Sequence, residues 1–167
     1  MKLILINGQG GTGKTSVAKS LLGKLKSSAY IEADSLVTTN PWEFGGKTDD
    51  LAISNAVVLV NNFLAAGFEN IIISGLTRNQ ELLDKFLEKL NQPEEILFVW
   101  LRASENVRKS RKIGRDRDYA DLEKHFAFIN KVYPDIQSTE LKSGKAIFID
   151  SSTKSIKEIT FEIMHNL

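Results

Sequence analysis

The 167-residue sequence predicts an α/β fold: an open, mainly parallel five-stranded sheet with helices on both faces. Short apolar runs alternate with amphipathic segments along the chain. Several of these runs lack polar alternation, as parallel strands covered on both faces do. A glycine-rich stretch falls between the first run and the first amphipathic segment, at the carboxyl edge of the sheet, where such folds hold ligands.

Taken in order, LILI (3–6), AYIEA (29–33), NIIIS (70–74), ILFVWL (96–101) and AIFID (146–150) read as strands. The segments between them read as helices. Val17, Ala18, Leu21, Leu22 and Leu25 share a face. Ile53, Ala56, Val57, Val60, Phe63 and Leu64 recur at helical spacing, with Gly67 as a stop. Leu82, Leu83, Phe86, Leu87 and Leu90 form a third stripe that ends before Pro93. Ser104 and Glu105 suit the start of a fourth helix. Leu122, Phe126, Ile129 and Tyr133 line a fifth, stopped by Pro134, and Ile156, Ile159 and Ile163 line the last. No repeat or linker interrupts the series, so residues 1–167 are expected to form one domain.

A formal net charge of +1 argues against a general nucleic-acid or membrane binder. The absence of cysteine excludes disulfides, thiolate metal sites and cysteine nucleophiles. The opening MKLILIN is too short an apolar run for a signal peptide, and no run approaches the ~18 residues of a membrane span, so a cytoplasmic protein is expected.

NGQGGTGKTS (7–16) admits two motifs. Gly8, Gly10 and Gly13 fit G-x-G-x-x-G, the dinucleotide fingerprint. Gly8, Gly13, Lys14 and Thr15 fit G-x-x-x-x-G-K-[ST], the Walker A phosphate loop. A dinucleotide fold has two βαβαβ halves, for which this chain is short, and it gives Lys14 and Thr15 no task. In a phosphate loop each has one. Backbone N–H groups around Gly10, Gly11, Thr12, Gly13, Lys14 and Thr15 line an anion site at a helix N-terminus, and Ser16 follows in the same first turn. Lys14 reaches the β- and γ-phosphates, and the Thr15 hydroxyl binds Mg²⁺.

Nothing else matches a switch GTPase or a large ATPase. The third strand ends IIISGLT, with Ser74 where a GTPase would carry Asp, and NKVY (130–133) breaks the guanine-reading motif. No strand ends in Asp-Glu. A compact phosphotransferase fits better, and the segment VRKSRKIGRDRD (107–118) supports it. Residues 108–117 hold six basic residues and one acid, with Arg outnumbering Lys four to two. Arginine forks suit bidentate phosphate contact. A mobile lid here, about 108–120, would stabilise developing charge and exclude water, with Arg111, Arg115 and Arg117 as candidates ahead of Arg108. A solvated basic face or a nucleic-acid patch is the alternative.

These parts together resemble the small P-loop kinases related to shikimate, gluconate and adenylate kinases and to chloramphenicol phosphotransferase. The resemblance rests on GQGGTGKTS, an acid in IEADSL, the RKSRKIGRDRD lid and FIDSS after the last strand. It implies a three-layer fold with a five-stranded parallel sheet, ATP as donor, Mg²⁺ as cofactor and an acceptor cleft after the second strand. The glycine pattern of shikimate kinase after the third strand and the gluconate-kinase loop are not clearly present.

Asp34 falls just past the second strand, where the resemblance implies an acid that orients the acceptor hydroxyl or touches Mg²⁺ through water; a carboxylate there could also take the hydroxyl proton, or instead cap a helix over DSLV. Glu32 alternates with it and is a weaker candidate. The resemblance implies that Asp150, in DSST (150–153), is a loop residue near the adenine base. The irregular stretch about 34–50 should build the acceptor cleft. There Trp42 and Phe44 either stack on a substrate or fill a satellite core, and Asn40-Pro41 and Gly45-Gly46 let the loop fold. Arg78 either contacts an anionic or hydroxylated acceptor or is a surface charge at a helix start. His125 and His165 lack metal-ligand spacing and read as surface residues.

The leading expectation is an ATP- and Mg²⁺-dependent phosphotransferase acting on a hydroxyl of a small molecule: a nucleoside, a sugar, a shikimate-like acid or an antibiotic-like alcohol. A nucleotide kinase is a subclass. An ATP-binding regulator and a nucleic-acid-end kinase are the rivals from other classes.

Overall fold

The computed structural model describes residues 1–41, 43–90, 95–113 and 122–167. Among these residues five strands form one sheet: β1 (Lys2–Asn7), β2 (Ser28–Glu32), β3 (Asn70–Ser74), β4 (Glu95–Arg102) and β5 (Lys145–Asp150). Their order is β2-β3-β1-β4-β5, and every neighbouring pair is parallel. All five expected strands are present, within a residue or two of their expected ends.

Among the described residues six helices accompany them: α1 (Lys14–Leu22), α2 (Lys47–Ala65), α3 (Gln80–Lys89), α4 (Glu105–Ile113), α5 (Leu122–Val132) and α6 (Ile156–His165). A 3-10 turn at Ala33–Ser35 follows β2. No helix among the described residues is long and apolar enough to cross a membrane.

The uninterrupted apolar runs follow from the layering. The pleat sends Leu3 and Leu5 to one face of β1 and Ile4 and Ile6 to the other, and all four are fully buried. The Leu3 face belongs to the core that α2 and α3 complete with Ile53, Ala56, Val60, Leu83 and Phe86. The Ile4 face belongs to the core that α1 and α6 complete with Val17, Leu21, Ile159 and Ile163. Each such side chain contributes about 1.5–3 kcal/mol when removed from water. A strand flanked by both cores cannot afford polar alternation.

β1 lies between β3 and β4, so the chain leaves it towards β2 on one side and reaches β4 on the other. Its carboxyl end is therefore the topological switch point, where loops diverge and leave a crevice. The glycine-rich loop sits there, with residues 75–78 beyond β3 on one flank and α4 beyond β4 on the other.

Candidate active site

The loop of residues 8–13 runs between β1 and α1. Gly8 has φ +136°, and a Cβ there would lie 2.2 Å from the Leu101 carbonyl oxygen. Gly11 has φ +91°, and its Cβ would come within 2.8 Å of the Arg108 carbonyl oxygen. Only glycine fits either place, by dihedral angle and by space. The Thr12 hydroxyl donates to the Gln9 carbonyl at 2.8 Å and turns the loop. The buried Ser151 hydroxyl joins the loop to the ends of β4 and β5, 2.9 Å from the Thr12 carbonyl and 2.8 Å from that of Arg102.

The α1 N-terminus differs from those of α3 and α6. Asn79 caps α3 by accepting from the Leu82 N–H. Ser155 and Glu158 close α6 with a capping box. At α1 the cap is Gly13, with no side-chain cap and no acid in the first turn, the turn that also holds Thr15 and Ser16. Helix-end N–H groups need acceptors, and an end left like this favours an anion.

Lys14 opens α1. Its ammonium donates to the carbonyls of Gly8 (2.8 Å) and Gln9 (3.2 Å) and lies 5.7 Å from the Tyr133 ring centroid. The Thr15 hydroxyl donates to Glu32 Oε1 at 2.7 Å. Beside this pair, Tyr30 and Ser74 share a 2.8 Å hydrogen bond, and burial raises the Tyr30 phenol pKa. A hydroxyl that gives its proton to a carboxylate keeps its lone pairs for a cation. With Asp34 close by, the donors are all oxygen, the chemistry Mg²⁺ prefers.

β2 stops at Glu32, and the 3-10 turn over Ala33–Ser35 ends its two-residue alternation. Asp34 therefore sits exposed on a turn, not one pleat beyond Glu32 on a strand. It caps no α-helix either, since α2 starts only at Lys47. It lines a cavity of about 290 Å³ with Phe44, Asp49, Arg78 and Tyr133. The loop and the cavity meet at Gly75: a methyl built there would lie 3.4 Å from Lys14 Cε and 3.9 Å from Asp34 Oδ1.

Within the cavity Arg78 is held by Asp49 through two parallel bonds, 2.6 Å from Nη1 to Oδ1 and 2.5 Å from Nη2 to Oδ2. That pairing raises the guanidinium pKa further. Phe44 covers its flat face at 4.8 Å and meets Phe128 edge-on at 5.7 Å. Tyr133 stacks on Trp100, and burial, with Asp34 nearby, pushes its phenol pKa up. Trp42 lies outside the described residues.

The expected lid segment is described only to residue 113. That part is helical and packs on the phosphate loop, and Arg115 and Arg117 lie outside the described residues. Arg108, ranked behind its neighbours on sequence grounds, is 3% exposed. Its Nη2 donates to Asn130 Oδ1 at 2.9 Å and its guanidinium lies 5.3 Å from the Phe126 centroid, while Nε and Nη1 have no hydrogen-bond partner. Burial lowers its pKa. Arg111 reaches backbone instead, donating to the carbonyls of Ser151 (2.6 Å) and Gly11 (3.4 Å). Lys112 stands over the loop, its Nζ 2.9 Å from where a Gly10 Cβ would be and 2.6 Å from His125 Nε2. His125 is half-buried by that contact, whereas His165 is exposed. Hydrogen bonding from Ser152, by its side chain first and then by its N–H at 2.8 Å, holds the Asp150 carboxyl pKa down.

A larger cavity, about 710 Å³, runs along α3 beside residues 140–143. It contains none of the loop or cleft groups, so the smaller cavity is the one tied to the phosphate loop.

Sequence reasoning missed Asp49 and Tyr133. Asp49 is an ordinary first-turn acid of α2, and Tyr133 read as one more apolar position of the fifth helix. Only the folded chain brings them to residues 34 and 78. Gln9 and Asn130 were also missed; Gln9 bonds both Asn130 Oδ1 (3.3 Å) and the Tyr133 carbonyl (2.8 Å), tying the loop to α5.

No family model matches the chain. Solved structures share its fold. A gluconokinase from Sinorhizobium meliloti 1021 superposes with a TM-score of 0.74 at 19% identity, covering 99% of this chain and 90% of its own. A sugar kinase from Janibacter sp. HTCC2649 gives 0.75 at 16% identity, covering 99% and 94%. The thymidylate kinase of Candida albicans gives 0.60 at 18% identity, covering 98% and 89%. In sequence, an adenylate kinase of Campylobacter jejuni (subsp. jejuni serotype O:23/36, strain 81-176) is 35% identical over 181 aligned residues, covering 97% of this chain and 94% of that enzyme. That of Campylobacter jejuni strain RM1221 is 34% identical over the same span. With the Walker A loop at the switch point of an all-parallel sheet and relatives this similar over nearly the whole chain, the protein belongs to the small P-loop kinase family that includes these adenylate kinases.

Proposed function

We propose that the protein transfers the γ-phosphoryl group of ATP to a hydroxyl of a small molecule held in the cavity between β2, β3 and α2. The observation that carries this is the meeting at Gly75, where Lys14 of the phosphate loop and Asp34 of the cavity face the same small space. A donor phosphate on the loop and an acceptor beside Asp34 would then adjoin. Positioning is most of what phosphoryl transfer needs.

Each group has a physical task. The uncapped end of α1 and the loop N–H groups hold the donor phosphates. Lys14 leaves its carbonyl partners for the β- and γ-phosphates. Thr15, its O–H directed at Glu32, would hold Mg²⁺ through its lone pairs, and Asp34 would reach the ion through water; when bound, the ion neutralises charge on the transferring group. Asp34 also orients the acceptor hydroxyl and takes its proton. Arg108 and Arg111 flank the loop from α4 and supply positive charge beside it, and Arg115 and Arg117 remain candidates for closing over the donor. The stretch of about 34–50 is the proposed acceptor wall, with Trp42 a candidate to stack on the acceptor, and residues 1–167 are proposed to act as one domain.

A nucleoside-monophosphate kinase is the second reading, supported by the identity with adenylate kinases. Labelled ATP tests both. Label is expected on an alcohol from a panel of sugars, nucleosides and small alcohols. Label appearing only as free phosphate across that panel and AMP would overturn the transferase reading. Label on AMP alone would establish the second.

A further inference from the structure

The cavity beside Asp34 is lined by more acids than bases. Among its described lining residues, Asp34, Glu43 and Asp49 are acids and Arg78 is the single base. Glu43 pairs with Lys47 at the rim, at 3.0 Å. Arg78 is committed to Asp49 in a two-point fork, with both side chains less than a fifth exposed, at 16% and 18%.

Three features fix that fork in place. Asp49 lies in the first turn of α2, where the helix end favours a carboxylate. Gly45 brings the backbone close: a Cβ there would lie 3.6 Å from Arg78 Nη2 and 3.8 Å from Asp49 Oδ2. Phe44 covers the guanidinium face. An incoming phosphate or carboxylate would have to displace a carboxylate that already has the geometry it offers itself, and would meet Asp34 as a second negative charge. A neutral hydroxyl compound meets neither cost, and Phe44 and Tyr133 offer it aromatic surface.

We propose that Asp49 is a specificity-determining residue that occupies Arg78 and so selects acceptors bearing hydroxyls and no anionic group. The proposal rests on the cavity being the acceptor site. At about 290 Å³ it sits at the small end of ligand pockets, which suits a single sugar or nucleoside. Asp49 acts through Arg78 and takes no part in transfer. Its removal leaves a part-buried guanidinium without its partner, which then seeks an anion.

The test is calorimetric titration of AMP and adenosine, with the donor site filled by a nonhydrolysable ATP analogue, into wild type, Asp49→Asn and Asp49→Glu. We expect AMP affinity to rise at least ten-fold in Asp49→Asn relative to wild type, with adenosine affinity changed less than three-fold. Asp49→Glu, which keeps the carboxylate, should resemble wild type. Equal or weaker AMP binding by a folded Asp49→Asn, verified by circular dichroism and by unchanged affinity for the ATP analogue, would overturn the proposal. So would efficient phosphorylation of AMP by wild type, which would leave the transferase reading standing. Failure of every acceptor to take label would sink the transferase reading instead, while the AMP titration would still decide what Asp49 does to Arg78.

Discussion

The phosphate loop and the cleft beside it meet at Gly75 but are made of different material. The loop is backbone: glycines that admit no Cβ, and a helix end left without a side-chain cap. The cleft is side chain: a carboxylate on a 3-10 turn, a guanidinium forked to the first turn of α2, and a phenol from the end of α5. Backbone sites depend on a short contiguous string and tolerate little change. Side-chain sites depend on residues far apart in the chain and can alter one charge at a time. A kinase can thus keep its donor while changing its acceptor.

The largest break in that comparison should come from Lys14→Ala. Turnover of ATP is expected to fall about 10³-fold, in line with the loss of a charge-stabilising donor. Near-normal turnover, measured by coupled ADP release, would show that the loop does not do what its geometry supports. Next comes Asp34→Asn. Transfer to the best acceptor should drop about 10²-fold, with affinity for an ATP analogue altered less than three-fold. Equal loss of both would assign Asp34 to the donor side and erase the distinction between the halves.

Arg108→Gln sharpens the donor side. The amide keeps a donor for Asn130 and removes the buried charge. Catalytic efficiency is expected to fall about ten-fold, because a charge-assisted contact contributes ~1.5–3 kcal/mol and Gln retains part of it. Higher stability with unchanged kinetics would mean that Arg108 only packs.

The smallest effect sets the control. Ser155→Ala removes the cap of α6, the counterpart of the uncapped α1. It should cost about 1 kcal/mol, a melting-point drop of about 2–4 °C, with no change in ATP binding. A loss of ATP affinity instead would mean that helix-end capping and phosphate binding are not separable here.

What was legible beforehand follows the same division. The order of strands and helices could be read because two cores demand apolar runs, and the loop because glycine, lysine and threonine must stand in fixed order. Asp49 and Tyr133 could not be singled out, and Arg108 ranked only behind its neighbours, since nothing local marks them. A first-turn acid, one arginine of a basic run and an aromatic at a helix end are common everywhere, and only tertiary contact gives them roles. Asp34 was found by its place after β2, but the expected pleat partnership with Glu32 assumed a strand that the 3-10 turn ends one residue earlier. Of the basic run expected as a lid, residues 108–113 belong to α4, where Arg108 and Lys112 lie against the Phe126 ring.

Trp100 carries a practical consequence. It is fully buried, donates to Asp135 at 2.6 Å and stacks on Tyr133, the ring that lies beneath the Lys14 ammonium. Indole emission responds to nearby charge and to the tilt of a stacked neighbour, so the chain has a built-in optical reporter at the junction of its two halves. With Trp42 replaced by phenylalanine, Trp100 is the sole indole, and stopped-flow fluorescence can time the arrival of each ligand without an attached dye.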